Sequence, residues 1–256
     1  MRTQSPFQDR SAREVTRERF DAVLFDLDGV VTSTAALHMA AWKCVFDAFL
    51  DVLAPGVGID RRPFDERDYR VYVDGKPRYD GVRGFVASRA VTLAEGHPDD
   101  PPGRETVCGL GNRKNEVFRA ELDARGATAF PSTVGWIGEL RRQEFKTAVV
   151  TASRNGAAVL AATGVADLFD VVFDGNTASR LGIAGKPAPD TYVAAARMLD
   201  VETRRAVVVE DAIAGVRAGR DGGFGLVIGL AGPDDADEML DNGADIVVAD
   251  LGEMSD

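Results

Sequence analysis

The chain has 256 residues, 45% of them hydrophobic and 28% charged, with two cysteines and a formal net charge of −11. That acidity excludes the basic face that nucleic acid or an anionic membrane surface requires, and no apolar run approaches the length of a membrane span. Cys44 and Cys108 lie far apart inside apolar-periodic segments, so core packing in a reducing, cytoplasmic setting is expected rather than a disulfide or a metal site.

At the N-terminus Arg2, Arg10, Arg13, Arg17 and Arg19 interleave with Asp9, Glu14 and Glu18 around no apolar core. Residues 1–19 therefore read as a tail or a short surface helix, not a targeting peptide. The run Ala22-Val23-Leu24-Phe25 has strand character and ends in Asp26-Leu27-Asp28-Gly29. Asp26 is expected at the carboxyl end of a buried strand and Asp28 on the loop after it. Taken alone, the pair also fits a solvated strand end. Leu37, Ala40, Ala41, Cys44, Val45, Ala48 and Phe49 share one side of a helix over 35–50, with His38 in its first turn. From 51 to 128 the composition turns to Pro, Arg and Asp without strand alternation, which reads as an inserted domain with helices over 82–94 and 113–125 and a turn-rich loop at 98–103. The cations of its stretch 72–83, Lys76, Arg78 and Arg83, read as a solvated face.

After Phe130-Pro131, helices alternate with short, wholly apolar, β-branched runs: 147–151, 171–173, 206–210, 226–228 and 246–248. Such runs signal a parallel sheet covered on both faces, so the fold class is α/β, a doubly wound, mainly parallel, Rossmann-like core (20–50 and 129–256) with a helical insert (51–128). Ligands of such sheets bind outside the carboxyl ends of the strands. The least core-like residues stand there: Asp26, Thr151, Glu210 with Asp211, and Lys186 in the glycine-rich loop 182–187 after another strand.

This set suits phosphoryl transfer. Asp26, Glu210 and Asp211, with the carbonyl oxygen of Asp28, are hard oxygen ligands for one Mg²⁺. Asp26 is the nucleophile and Asp28, two residues on, the general acid and base. Lys186, the Thr151 hydroxyl and the Ala152 amide are placed to hold phosphoryl oxygens, and the helix starting near Asn155 points its positive end the same way.

Asp26-x-Asp28-Gly-Val, Thr151-Ala-Ser-Arg-Asn, Gly185-Lys186-Pro-Ala-Pro-Asp190 and Glu210-Asp211 resemble the four motifs of the haloacid dehalogenase-like phosphatase superfamily. The run Asp26–Thr34 with Ala35, His38 and Trp42, together with Arg113-Lys114-Asn115 and Ala188-Pro189-Asp190, is similar to the β-phosphoglucomutase family. The resemblance implies a helical cap closing over the site, Thr34 at its hinge, His38 and Lys114 supporting cap and substrate, and Mg²⁺ as the metal. Trp42, Asn115, Ala152, Ser153 and Asn155 fall in the matching runs and join the substrate-contact candidates. Family members carry a Lys-Gly-x-x-Arg run for the nonreacting phosphate. The comparable stretch here is Asp80-Gly81-Val82-Arg83, which leaves Lys76, Arg78 or Arg83 for that role. The expected function is a mutase interconverting β-glucose 1-phosphate and glucose 6-phosphate through glucose 1,6-bisphosphate, with a sugar-phosphate phosphatase as the alternative. The expected partner is a small-molecule sugar phosphate, and the protein a monomer or weak dimer.

Overall fold

The structure is a computed structural model and describes residues 14–53 and 58–255; most of the N-terminal tail lies outside them. Six parallel strands form one sheet in the order β3-β2-β1-β4-β5-β6: β1 Ala22–Phe25, β2 Lys146–Val150, β3 Val171–Phe173, β4 Ala206–Glu210, β5 Leu226–Leu230 and β6 Ile246–Val248. From β1 the chain winds outward one way through β2 and β3, then returns to the other side of β1 through β4. The strand order therefore reverses between β1 and β4, where a doubly wound sheet opens a crevice at its carboxyl edge. Phe25 pairs with Val149 on one side and Val209 on the other, which brings the next residue, Asp26, level with the ends of both neighbours.

Alternation along each strand splits the core. Val23, Phe25, Val149, Val207 and Val209 face one side, and Ala22, Leu24, Ala148, Val150 and Val208 the other. Helix α4 (Pro131–Arg142) covers the first face with Trp136, Ile137 and Leu140, and α5 (Gly156–Thr163) with Val159 and Leu160. The second face is covered by α7 (Asp190–Met198) and α8 (Ile213–Asp221), with Tyr192, Ala195, Ala196 and Val216. Two helices of the core are not marked in the sequence, α6 (Gly175–Leu181) and α9 (Ala236–Asp241). Because α6 intervenes, the Lys186 loop does not follow a strand directly and reaches the sheet edge from farther along the chain.

Helix α1 (Ala35–Val52) leaves the β1 loop and packs against α2 (Arg78–Ser88) and α3 (Val107–Arg125). The buried face of α1 is Leu37, Ala41, Trp42, Val45, Phe46, Phe49 and Leu50. Cys44 is exposed, so of the two cysteines only Cys108 is a core residue. Trp42 to Leu50 share a cluster with Phe64, Val73, Val82, Phe85 and Leu110, so most of α1, grouped with the core by its sequence, belongs to the packing of the insert. The insert's helices also shift from expectation. Pro77 stands at the N-terminus of α2, which ends at Ser88, and the Thr106 hydroxyl accepts from the Gly109 amide to start α3 six residues before 113.

Phe46 is the centre of the insert's cluster, stacked on Phe85 at 3.9 Å and on Trp42 at 4.9 Å. Phe46→Ala should lower the unfolding free energy by about 3–5 kcal/mol, read as a lower urea midpoint at unchanged slope.

Candidate active site

At the β1–β4 crevice three groups from distant parts of the chain converge. The Lys186 ammonium is buried and donates to Asp26 Oδ1 (2.5 Å), Glu210 Oε1 (2.5 Å) and the Val150 carbonyl (3.0 Å). Burial opposes the charge on Lys186, but the two carboxylates outweigh it and hold the ammonium protonated beyond its ordinary range. The other Asp26 oxygen accepts from the Asp28 amide at 2.8 Å, which fixes the start of the loop. Glu210 is spent further: Tyr192 donates its hydroxyl to Oε1 (2.8 Å) and the Ala212 amide reaches Oε2 (3.2 Å).

Asp211 is different. No hydrogen bond from a described residue reaches its carboxylate, and one oxygen from each of Asp26, Glu210 and Asp211 lies within 4.8 Å of the others. Burial, then the charges of Asp74, Asp26 and Glu210, push the Asp211 carboxyl well up. Gly29 makes room for it: the backbone there takes φ +106°, and a Cβ would fall 1.8 Å from Asp211 Oδ2. A carboxylate left without a donor beside two others has the donor set and the excess negative charge that a hard divalent cation fits. Asp26 and Asp211 would hold it, and Glu210 only through what Lys186, Tyr192 and Ala212 leave. The Asp28 side chain turns away from this cluster.

Asp28 is held instead from both the core and the cap side. Thr34 Oγ1 donates to Oδ1 (2.5 Å) and Thr151 Oγ1 to Oδ2 (3.0 Å), while His38 Nε2 stands 3.2 Å from Oδ1. Burial would raise this carboxyl; His38 and the two hydroxyls overcome it and hold Asp28 well below the usual carboxylate range. His38 stacks on Phe118 at 4.0 Å, and its Nδ1 lies 2.5 Å from Lys114 Nζ. Burial pushes Lys114 down to about 7 and lowers His38 as well. The ammonium of Lys114 lies 5.0 Å from the ring centroids of both Trp42 and Phe118.

These groups open into one shared cavity between core and cap. Asp26, Asp28, His38, Trp42, Lys76, Arg78, Lys114, Asn115, Ala152, Ser153 and Asn155 line it with Thr151 and Asp211, as do Tyr69, Asp74 and Arg154, which the sequence reading did not single out. Asn155 Nδ2 donates to Asn115 Oδ1 at 2.8 Å, joining core to cap across the cavity. The Ser153 amide is taken by the Thr151 hydroxyl, whereas no described acceptor takes that of Ala152. Thr34, Lys186 and Glu210 lie behind the wall and act on the residues that form it.

A model of the haloacid dehalogenase-like hydrolase family matches residues 20–223. The chain is 45% identical over 241 residues to a β-phosphoglucomutase of Mycobacterium bovis, across 93% of this chain and 92% of that protein. The chain belongs to the haloacid dehalogenase-like hydrolase family, in its β-phosphoglucomutase branch. A crystal structure of β-phosphoglucomutase from Clostridium difficile shares the fold, with a TM-score of 0.71 and 23% identity over 91% of this chain and 92% of that one. CbbY from Rhodobacter sphaeroides, crystallised with xylulose-1,5-bisphosphate, is 26% identical, with a TM-score of 0.69 over 92% and 96%. Magnesium is the metal of this family, in keeping with the donor set at Asp26 and Asp211.

The family's Gly-x-x-Arg spacing is met six residues before Gly81, at Gly75. Arg83 pairs with Asp80 and Glu95 on the surface and is not part of the cavity. Gly75 and Arg78 have the spacing and the place, with Asp74 where the family run has lysine. No carboxylate among the described residues pairs with the guanidinium of Arg78, and burial with the nearby Arg154 pushes it down to about 10. Both guanidinium groups lie over the ring of Tyr79, at 6.0 and 5.5 Å. Lys76 donates to the Val71 carbonyl and also lines the adjoining cleft.

Removing a donor that favours the ionised form raises a carboxyl pKa. Thr34→Val should therefore move the acidic limb of the pH–kcat/KM profile upward by about one unit, the size of one charge-assisted hydrogen bond of about 1.5 kcal/mol.

Proposed function

We propose that this enzyme interconverts β-glucose 1-phosphate and glucose 6-phosphate through a phosphorylated Asp26 and glucose 1,6-bisphosphate. The observation that carries the reading is the Arg78–Arg154 pair. A hydrolase must grip one phosphate, but a mutase must also hold a second while the first reacts. Two guanidinium groups without acidic partners, in the cavity that Asp26 lines, are suited to that second phosphate.

Asp26 attacks phosphorus as the bond to the sugar oxygen breaks, and Lys186 keeps its carboxylate oriented through the step. Asp28 gives the departing oxygen its proton and, ionised again, takes the proton from the sugar hydroxyl that attacks the phosphoaspartate. Its resting hydrogen bonds to Thr34 and Thr151 favour the ionised form, the state the second half-reaction starts from. The Thr151 hydroxyl and the Ala152 amide steady the phosphoryl oxygens. Magnesium, when bound, offsets the charge that gathers on the phosphoryl group. The helices from the second half of α1 through residue 128 serve as the cap that excludes water, so that a sugar hydroxyl reaches the phosphoaspartate. Hydrolysis, the activity the family description names, is the outcome when water gets there first.

With Mg²⁺, β-glucose 1-phosphate and trace bisphosphate, glucose 6-phosphate should accumulate without inorganic phosphate. Stoichiometric phosphate release would assign the protein to the sugar-phosphate phosphatases instead. Asp26→Asn should bring turnover to background. Arg78→Ala should raise the bisphosphate concentration needed for half-maximal rate by about tenfold or more, the worth of a charged hydrogen bond. Arg83→Ala, outside the cavity, should leave it unchanged.

A further inference from the structure

The cap run that carries Arg78 begins with a carboxylate that the mechanism above does not use. Asp74 follows the π-helical turn Tyr69–Val73, and its amide donates to the Tyr69 carbonyl (3.0 Å). At Gly75 the backbone takes φ +67°, and a Cβ there would lie 3.0 Å from that of Ala212, the residue after Asp211. This close approach brings the Asp74 segment against the Asp211 segment, and both carboxylates line the substrate cavity and the adjoining cleft. Of the charges acting on Asp211, that of Asp74 is the largest, ahead of Asp26 and Glu210. A loop whose task was only to dock on the core would gain from a cation or a neutral residue here. A carboxylate is brought against another carboxylate at low cost when a cation is shared between them, directly or through a water.

We infer that Asp74 is a cap-borne positioning residue for the divalent cation held by Asp26 and Asp211, so that cation binding and cap closure favour one another. The coupling is reciprocal: whatever closure adds to cation affinity, the cation adds to closure. The inference rests on the cation centre of the proposed function and is independent of which sugar reacts.

Mg²⁺ alone, titrated calorimetrically into the whole protein, tests it. Asp74→Asn should bind Mg²⁺ about tenfold more weakly, the usual effect of removing an outer partner of a metal site. Hydrogen exchange supplies the second reading: Mg²⁺ should slow exchange of the amides at 74–76 in the wild type and not in Asp74→Asn. Equal or tighter Mg²⁺ binding by Asp74→Asn, the result of plain charge repulsion, would overturn the assignment, as would Mg²⁺ protection that survives the substitution. A protein that shows the linkage yet only releases phosphate from the sugar ester would sink the mutase reading while supporting this one.

Discussion

The Lys186 ammonium set between Asp26 and Glu210 is the interaction on which the rest of the site depends. The ends of β1 and β4 are hydrogen-bonded neighbours, so their terminal carboxylates meet in a buried place where two negative charges would repel strongly. One ammonium with three acceptors removes that conflict. Deleting one partner of such a buried set leaves an uncompensated charge and costs about 3–5 kcal/mol. The same contact that makes the crevice stable also settles where Asp26 points, and with it where the loop through Asp28 must run.

Two carboxylates separated by a single residue consequently see different surroundings. Asp26 answers to the sheet, through Lys186 and through the hydrogen bond from its own amide to the Val209 carbonyl. Asp28 answers to the cap: Thr34 immediately precedes α1, His38 lies in the first turn of α1, and Lys114 reaches His38 from α3. A rigid strand end suits the group that must form a bond in one place. A carboxylate tied to the elements of the cap suits the group that moves a proton while the cap excludes water.

The sheet and the catalytic edge were legible in the sequence because parallel strands buried on both faces are continuous apolar runs, and the residues that break them at Asp26, Thr151 and Glu210 stand out. The insert was not, since its signals are short-range and ambiguous. Gly109 and Gly111 dilute the start of α3, which the Thr106 cap nonetheless fixes. Arg83 follows a glycine as a phosphate-binding arginine would, but its fate is decided by Glu95, twelve residues on, which no spacing rule reveals. Arg154 stands inside a motif whose signal is its threonine, and no spacing marks Tyr192 as the residue that donates to Glu210.

Five residues, Asp74 to Arg78, carry most of the conversation between cap and core. Gly75 sits against Ala212, and Pro77 lies so close to Gly185 that a Cβ there would come within 2.3 Å of its ring. Arg70 with Asp235 (2.5 Å) and Asn155 with Asn115 fasten the interface on either side. Within the run, Asp74 and Arg78 both line the substrate cavity. A substrate phosphate gripped by Arg78 and a cation shared with Asp74 thus pull on the same short segment. Each stabilises the docked loop that the other needs, so the two occupancies reinforce one another without any contact between the ligands. That is the physical condition a mutase requires, because its phosphoaspartate must be shielded from water whenever both the metal and the second phosphate are in place.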